Sequence, residues 1–309
     1  MKELITMWKN TRMIVLVAVI AALYAVVLIP FKVAIPIVPG FTEIRPANVI
    51  PIICSLMFGP AAAWGAAIGN TIADAFGTFG LGTIFGFFGN FLYGYIPYKM
   101  WQTFGKGIPL AKSYSSTLRS GLIALGSAVV IGGIAWLVRY YLIPTINMYI
   151  PMLCAIIVFL VLRFLSVQYF LILLSASSAC GVFIGWGVHA LGFVPFSVLG
   201  NIITLNNFLV SAILGPLLIP IIYPIVQRMG LLYMDVMDEK DLSKSRTLGS
   251  VLMLIASIGG LIVGNWIAIG GYDMGILGAG FGQAVQGIGG LGLGLAPFIL
   301  LMIISAILM

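Results

Sequence analysis

The chain has 309 residues, of which 61% are hydrophobic and 7% charged, with a net charge of +7. A soluble domain carries about 25% charged residues, so this composition excludes an ordinary water-soluble fold and points to an all-α polytopic transmembrane helix bundle. The Lys and Arg residues stand singly at the ends of apolar stretches, which excludes the basic stripe of a nucleic-acid binder and reads as membrane topology.

A spanning helix needs about 20 mostly apolar residues, and such segments are expected at 13–31, 47–59, 61–77, 83–100, 120–138, 150–168, 169–191, 207–227, 248–269 and 287–308. The first is basic at its start but has no small-residue cleavage site, so it reads as a retained helix and not a signal peptide. Its Ala18, Ala21, Ala22 and Ala25 give small-xxx-small spacings that let another helix approach. The second and third segments are short, and Phe58-Gly59-Pro60 between them reads as a tight turn. Lys2, Lys9 and Arg12 place the N-terminus in the cytoplasm, and Lys99, Lys106, Lys112 and Arg119 fall on the same side after four crossings. Arg228, Lys240, Lys244 and Arg246 return there, which leaves the C-terminus inside too, while Arg139 and Arg163 fit this topology less well. The expected location is a plasma membrane, crossed several times with both termini cytoplasmic.

Enzyme chemistry has little foothold. The chain contains no GxxxxGK[ST], HExxH or GxSxG motif. His189 is the single histidine, and Cys54, Cys154 and Cys180 form no CxxC pair, so no metal site, disulfide framework or cofactor is implied.

The informative polar residues lie early: Glu43, Arg45 and Asn48 before the second segment, and Asn70, Asp74 and Asn90 in or beside the next two. Asp74 is the sole acid between Glu43 and Asp235, and a carboxylate near a helix centre costs about 2.5–3.5 kcal/mol on insertion scales. Asn70 and Asp74 are four apart and share a helical face. The topology puts these groups in the outer half of the membrane, where they could converge on one pocket with Trp64, Tyr93 and Tyr95 as aromatic walls. Two readings stand: a ligand cavity, or a structural Asp74–Arg45 pair with the asparagines as interhelical glue.

Glu43-Ile-Arg-Pro-Ala-Asn-Val-Ile-Pro, followed by Leu56-Met-Phe-Gly-Pro-Ala-Ala-Ala-Trp-Gly-Ala-Ala-Ile-Gly-Asn, resembles the substrate-binding S components of energy-coupling factor (ECF) transporters. Gly86-Phe-Phe-Gly-Asn-Phe-Leu-Tyr-Gly-Tyr-Ile-Pro-Tyr is similar to that family's fourth helix, and Leu205-Asn-Asn-Phe through Gly230-Leu-Leu-Tyr to its last. The resemblance implies a six-helix core, which falls at 1–118 and 169–247; the chain departs from that pattern by about four additional helices, an inserted pair at 119–168 and a two-helix extension at 248–309. It also implies capture of a vitamin or similar micronutrient for ATP-driven import, with a transmembrane coupling subunit and two ATPase subunits as partners. The alanine face that meets the coupling subunit maps to Ala18, Ala22 and Ala25. Within the pocket Arg45 would take a carboxylate or phosphate, Asp74 would accept from ring nitrogens, and Trp64 and Tyr93 would stack. The alternatives are a non-transporting scaffold or accessory subunit, whose interior would be fully packed, and a self-sufficient ion-coupled secondary transporter.

Overall fold

The computed structural model describes residues 2–105, 167–268 and 288–309, with isolated positions between 125 and 136. Nearly all of the expected 119–168 pair, with Arg139, Cys154 and Arg163, and the glycine-rich stretch 270–282 lie outside the described residues. Two compact units are present, Met1–Lys106 with Leu171–Met309, and Gly107–Phe170. The architecture below is that of the first.

The chain opens with a short helix, α1 (Lys2–Thr6), and then α2 (Thr11–Ala34), whose first free backbone N–H groups are capped by the Asn10 side chain, which accepts from the amides of Arg12 and Met13. A small hairpin, β1 (Pro36–Val38) antiparallel to β2 (Thr42–Glu43), leads to α3 (Val49–Phe58). Gly59, at φ 52°, turns the chain into α4 (Pro60–Asp74); a Cβ there would stand 2.7 Å from the Tyr233 ring. α5 (Leu81–Phe104), α6 (Val167–Ala190) and α7 (Phe196–Arg228) follow. After a short α8 (Tyr233–Val236) the chain closes with α9 (Thr247–Ala268) and α10 (Ile288–Leu308).

Five helical stretches, Thr11–Ala34, Val167–Ala190, Phe196–Val236, Thr247–Ala268 and Gly290–Leu308, are long and apolar enough to cross a membrane. Their outer faces suit lipid: on α7, Leu205, Leu209, Ile213, Leu217 and Ile221 form an exposed stripe with a four-residue repeat. That stripe would be a liability in water and costs nothing in hydrocarbon. α7 starts well before the expected residue 207, because Asn201, Thr204 and Asn206 interrupt the hydropathy. Their polar atoms are satisfied within the bundle, by Asn265, the Gly200 carbonyl and the 43–45 backbone respectively. α7 also carries Pro216, Pro220 and Pro224, tolerated in spanning helices where neighbours re-satisfy freed backbone groups.

Small residues set the helix spacing. A Cβ on Gly69 of α4 would lie 2.7 Å from the Ala21 carbonyl of α2, and one on Gly94 of α5 would lie 2.6 Å from the Ala62 carbonyl of α4. The α9–α10 pair is held on the core by polar ties across apolar surfaces. Asn201 and Asn265 exchange reciprocal amide bonds (2.6 and 2.8 Å), the Tyr95 hydroxyl donates to the Ala306 carbonyl (2.9 Å), and Trp186 donates to the Gly292 carbonyl (3.0 Å).

One end of the bundle is closed by a network joining the N-terminus, the end of α5 and the connection from α7 to α9. Glu3 and Lys99 pair at 2.6 Å, Lys99 also donates to the Ser243 carbonyl (2.9 Å), and Asn10 donates to the Val236 carbonyl (2.8 Å). The β hairpin, the α4–α5 turn and the α6–α7 turn gather at the opposite end.

Candidate functional site

At that opposite end a cavity of about 290 Å³ opens between α4, α5, α6, α7 and the two turns. Its polar wall is formed by Arg45, Asn70, Asp74, Thr78, Thr83 and Asn90; facing it are apolar side chains including Ile184, Val188, Leu199 and Ile203. Phe41, Phe79 and Phe193 supply aromatic surface, and Phe41 and Phe193 contact one another with ring centroids 5.9 Å apart. Directed polar groups on one side and apolar and aromatic side chains on the other, at about this volume, suit a small ligand with both polar and apolar surface.

The polar wall is organised as a closed ring. Asp74 Oδ1 accepts from Lys32 Nζ at 2.6 Å, and Lys32 lies 3.9 Å from Glu43. Glu43 Oε1 stands 2.8 Å from Arg45 Nε as an ion pair that lacks hydrogen-bond alignment. Arg45 Nη1 donates to Asn70 Oδ1 (3.2 Å), and Asn70 Nδ2 donates to Asp74 Oδ2 (3.1 Å), closing the circuit. Two cations and two carboxylates thus compensate one another, which is what makes four buried charges tolerable in a low-dielectric setting. Arg45 therefore pairs with Glu43, while Asp74 pairs with Lys32 and not, as the structural reading had it, with Arg45.

A second polar layer supports the ring. The Tyr24 hydroxyl lies 2.8 Å from Asn48 Oδ1 and 3.1 Å from Asn90 Oδ1, and Asn48 Nδ2 bonds Asn207 Oδ1. The Tyr93 hydroxyl reaches the Asn48 carbonyl (3.1 Å) and Ser211 Oγ (2.8 Å). Asn206 clasps the backbone before α3, donating to the Glu43 carbonyl at 2.7 Å and accepting from the Arg45 amide at 3.3 Å. Register in the 43–48 segment is thereby fixed by two adjacent asparagines of α7.

Of the residues singled out in the sequence, Arg45, Asn70, Asp74 and Asn90 line the cavity together, and Glu43 and Asn48 stand directly behind them. Tyr93 lies in the supporting layer, fully buried. Trp64 is elsewhere: its indole donates to the Leu4 carbonyl (3.0 Å) and packs edge-on against Trp8 and Phe91. Ten residues before Asp74 on the same helix, it is about 15 Å away along the axis. Ala18 and Ala22 are exposed on α2, whereas Ala25 is turned into the bundle. His189 Nε2 is buried with no hydrogen-bond partner among the described residues and does not line the cavity. Lys32, Asn206 and Asn207 had no role assigned from the sequence; the Asn206-Asn207 pair was the available signal, since two adjacent amides in an apolar segment demand partners.

A multi-pass membrane bundle with a polar-walled cavity at one end has the constitution of a small-molecule-binding membrane component. Residues 14–163, just under half of the chain, match the family model described as QueT transporter, a family of non-enzymatic S components of ECF transporters. Comparison with curated proteins and with solved structures returned no match. The matched span contains α2 from residue 14 through α5, with Lys32, Glu43, Arg45, Asn70, Asp74 and Asn90; it also runs through 119–163 and stops before α6 and α7, which complete the cavity wall.

Proposed function

We propose that this chain is the ligand-capturing subunit of an ATP-driven ECF importer, and that its ligand is a queuosine precursor, the uptake attached to the QueT family. The observation that carries the reading is the cavity set between the ring Lys32–Glu43–Arg45–Asn70–Asp74 and an apolar, aromatic wall. A planar nitrogen base would place its hydrogen-bonding edge on Asp74, Asn70 and Asn90 and its face against Phe41, Phe79 or Phe193. A scaffold has no use for such a space.

Orientation follows from charge. Lys2, Lys9, Arg12, Lys240, Lys244 and Arg246 belong to segments at the end opposite the cavity, and the positive-inside rule assigns that end to the cytoplasm. The cavity then opens outward from a prokaryotic plasma membrane, with both termini inside. Two ATPase subunits would supply the nucleotide chemistry for which this sequence has no P-loop, through a coupling subunit docked on the exposed Ala18 and Ala22 of α2. The walls that α6 and α7 give the cavity support the grouping of 169–247 with 1–118 as one core; an inserted pair at 119–168 and an extension at 248–309 would complete the division.

Isothermal titration of the purified protein with a 7-deazaguanine base tests the reading. The expected dissociation constant is well below micromolar, and Asp74→Ala weakens it at least tenfold, about 1.4 kcal/mol. Unchanged affinity in that variant, with an unchanged melting temperature, removes Asp74 from the site. Ion-driven uptake by vesicles that contain this chain alone would favour a secondary transporter instead.

A further inference from the structure

Lys32 stands behind the polar wall, its side chain 1% exposed, with Nζ 2.6 Å from Asp74 Oδ1 and 2.6 Å from Thr78 Oγ1. The Thr78 hydroxyl in turn donates to the same Asp74 oxygen at 3.1 Å. Oδ1 thus accepts two hydrogen bonds and is filled, while Oδ2 accepts only from Asn70 and keeps one acceptor position. Asp74 lines the cavity and Lys32 does not. A ligand therefore meets a carboxylate oxygen that can take one more hydrogen bond but whose charge is already balanced. The other charged groups of the ring, Glu43 and Arg45, balance each other at 2.8 Å.

We infer that Lys32 is a specificity-determining residue: by neutralising Asp74 from behind, its ammonium makes the cavity select an uncharged hydrogen-bond donor over a cationic ligand. The inference rests on the cavity being the ligand site. A cation entering a poorly solvated space loses hydration, and only net negative charge in the wall restores it. With Lys32 in place, two positive and two negative groups leave none. Lys32→Met keeps most of the chain length and removes one positive charge, which leaves the wall at −1. Asp74→Asn does the opposite and leaves it at +1.

Two probes separate charge from shape: a 7-deazaguanine bearing a nitrile, neutral at pH 7, and the same base bearing an aminomethyl group, cationic at pH 7. Titrated into the purified full-length protein, the nitrile probe is expected to bind at least tenfold tighter. Lys32→Met should move the ratio of the two affinities at least tenfold toward the cation, Asp74→Asn should move it the other way, and the double variant should return it toward the parent value. A Lys32 with a purely structural role would weaken both probes alike. The inference is overturned if the parent protein prefers the cation, or if both probes bind Lys32→Met with an unchanged ratio. Should Lys32→Met fail to fold, the ratio in Asp74→Asn decides in the same way. Failure of the parent protein to bind either probe sinks the ligand assignment itself, and this inference with it.

Discussion

Replacing Lys99 by methionine probes how the closed end of the bundle is held. The Lys99 side chain is fully buried and pairs at 2.6 Å with Glu3, which is 1% exposed; Ser243 and the Tyr98 hydroxyl (3.3 Å) also bond that carboxylate. Removing one member of a buried pair costs about 3–5 kcal/mol because the other charge is left uncompensated, and the two remaining donors should keep the loss near the lower figure. At roughly 2–4 °C per kcal/mol, melting in detergent should fall by about 10 °C. The double variant Glu3→Gln/Lys99→Met should recover most of that loss, since no charge is then stranded. Acid should act through the same pair. Burial raises the Glu3 carboxyl, but the hydrogen bonds from Lys99 and Ser243 outweigh it and hold the group below its ordinary 4.5. A depressed carboxyl contributes stability that is present above 4.5 and lost as pH falls through the folded value, so Glu3→Gln should flatten the melting profile below that pH. A fall of less than 3 °C in Lys99→Met, or a double variant no better than the single ones, would refute the coupling.

Three further outcomes follow from the packing. Gly69→Leu drives a side chain into the Ala21 backbone of α2 and should destabilise by about 1–3 kcal/mol, read as a lower melting temperature, whereas substitution at the exposed Val19 should be silent. Asn265→Leu strands the amide of Asn201; tie energies between membrane helices average about 0.6 and reach about 1.7 kcal/mol, so a denaturation series should show a loss within that range, largely restored by Asn201→Leu/Asn265→Leu. Ala22→Trp adds bulk to an exposed position that does not line the cavity, and should abolish co-purification with a coupling subunit while ligand affinity stays the same.

Much of the bundle was legible because lipid imposes a simple code. Runs at 13–31, 83–100, 169–191, 248–269 and 287–308 correspond to α2, α5, α6, α9 and α10 within a few residues. The start of α7 was hidden because Asn201, Thr204 and Asn206 look like a loop to hydropathy and are satisfied only in three dimensions. Asp74, Asn70, Arg45 and Asn90 stood out as rare polar groups in apolar sequence, and rarity is informative where burial is costly. Lys32 was overlooked for the opposite reason: a lysine at the end of a spanning helix reads as a topology signal, and only its 2.6 Å approach to Asp74 reveals that it turns inward. Trp64, expected as an aromatic wall, precedes Asp74 by ten residues, and a helix carries residues that far apart about 15 Å along its axis. The aromatic surface of the cavity comes instead from Phe41, Phe79 and Phe193, on turns whose convergence no local pattern encodes.

The most direct test of the account is native mass spectrometry of the protein purified from cells grown in rich medium. One small molecule should be retained per chain, a nitrogen base displaced by added 7-deazaguanine and missing from Asp74→Ala. Protein that carries no small molecule and binds no 7-deazaguanine base, while melting cooperatively, would contradict it.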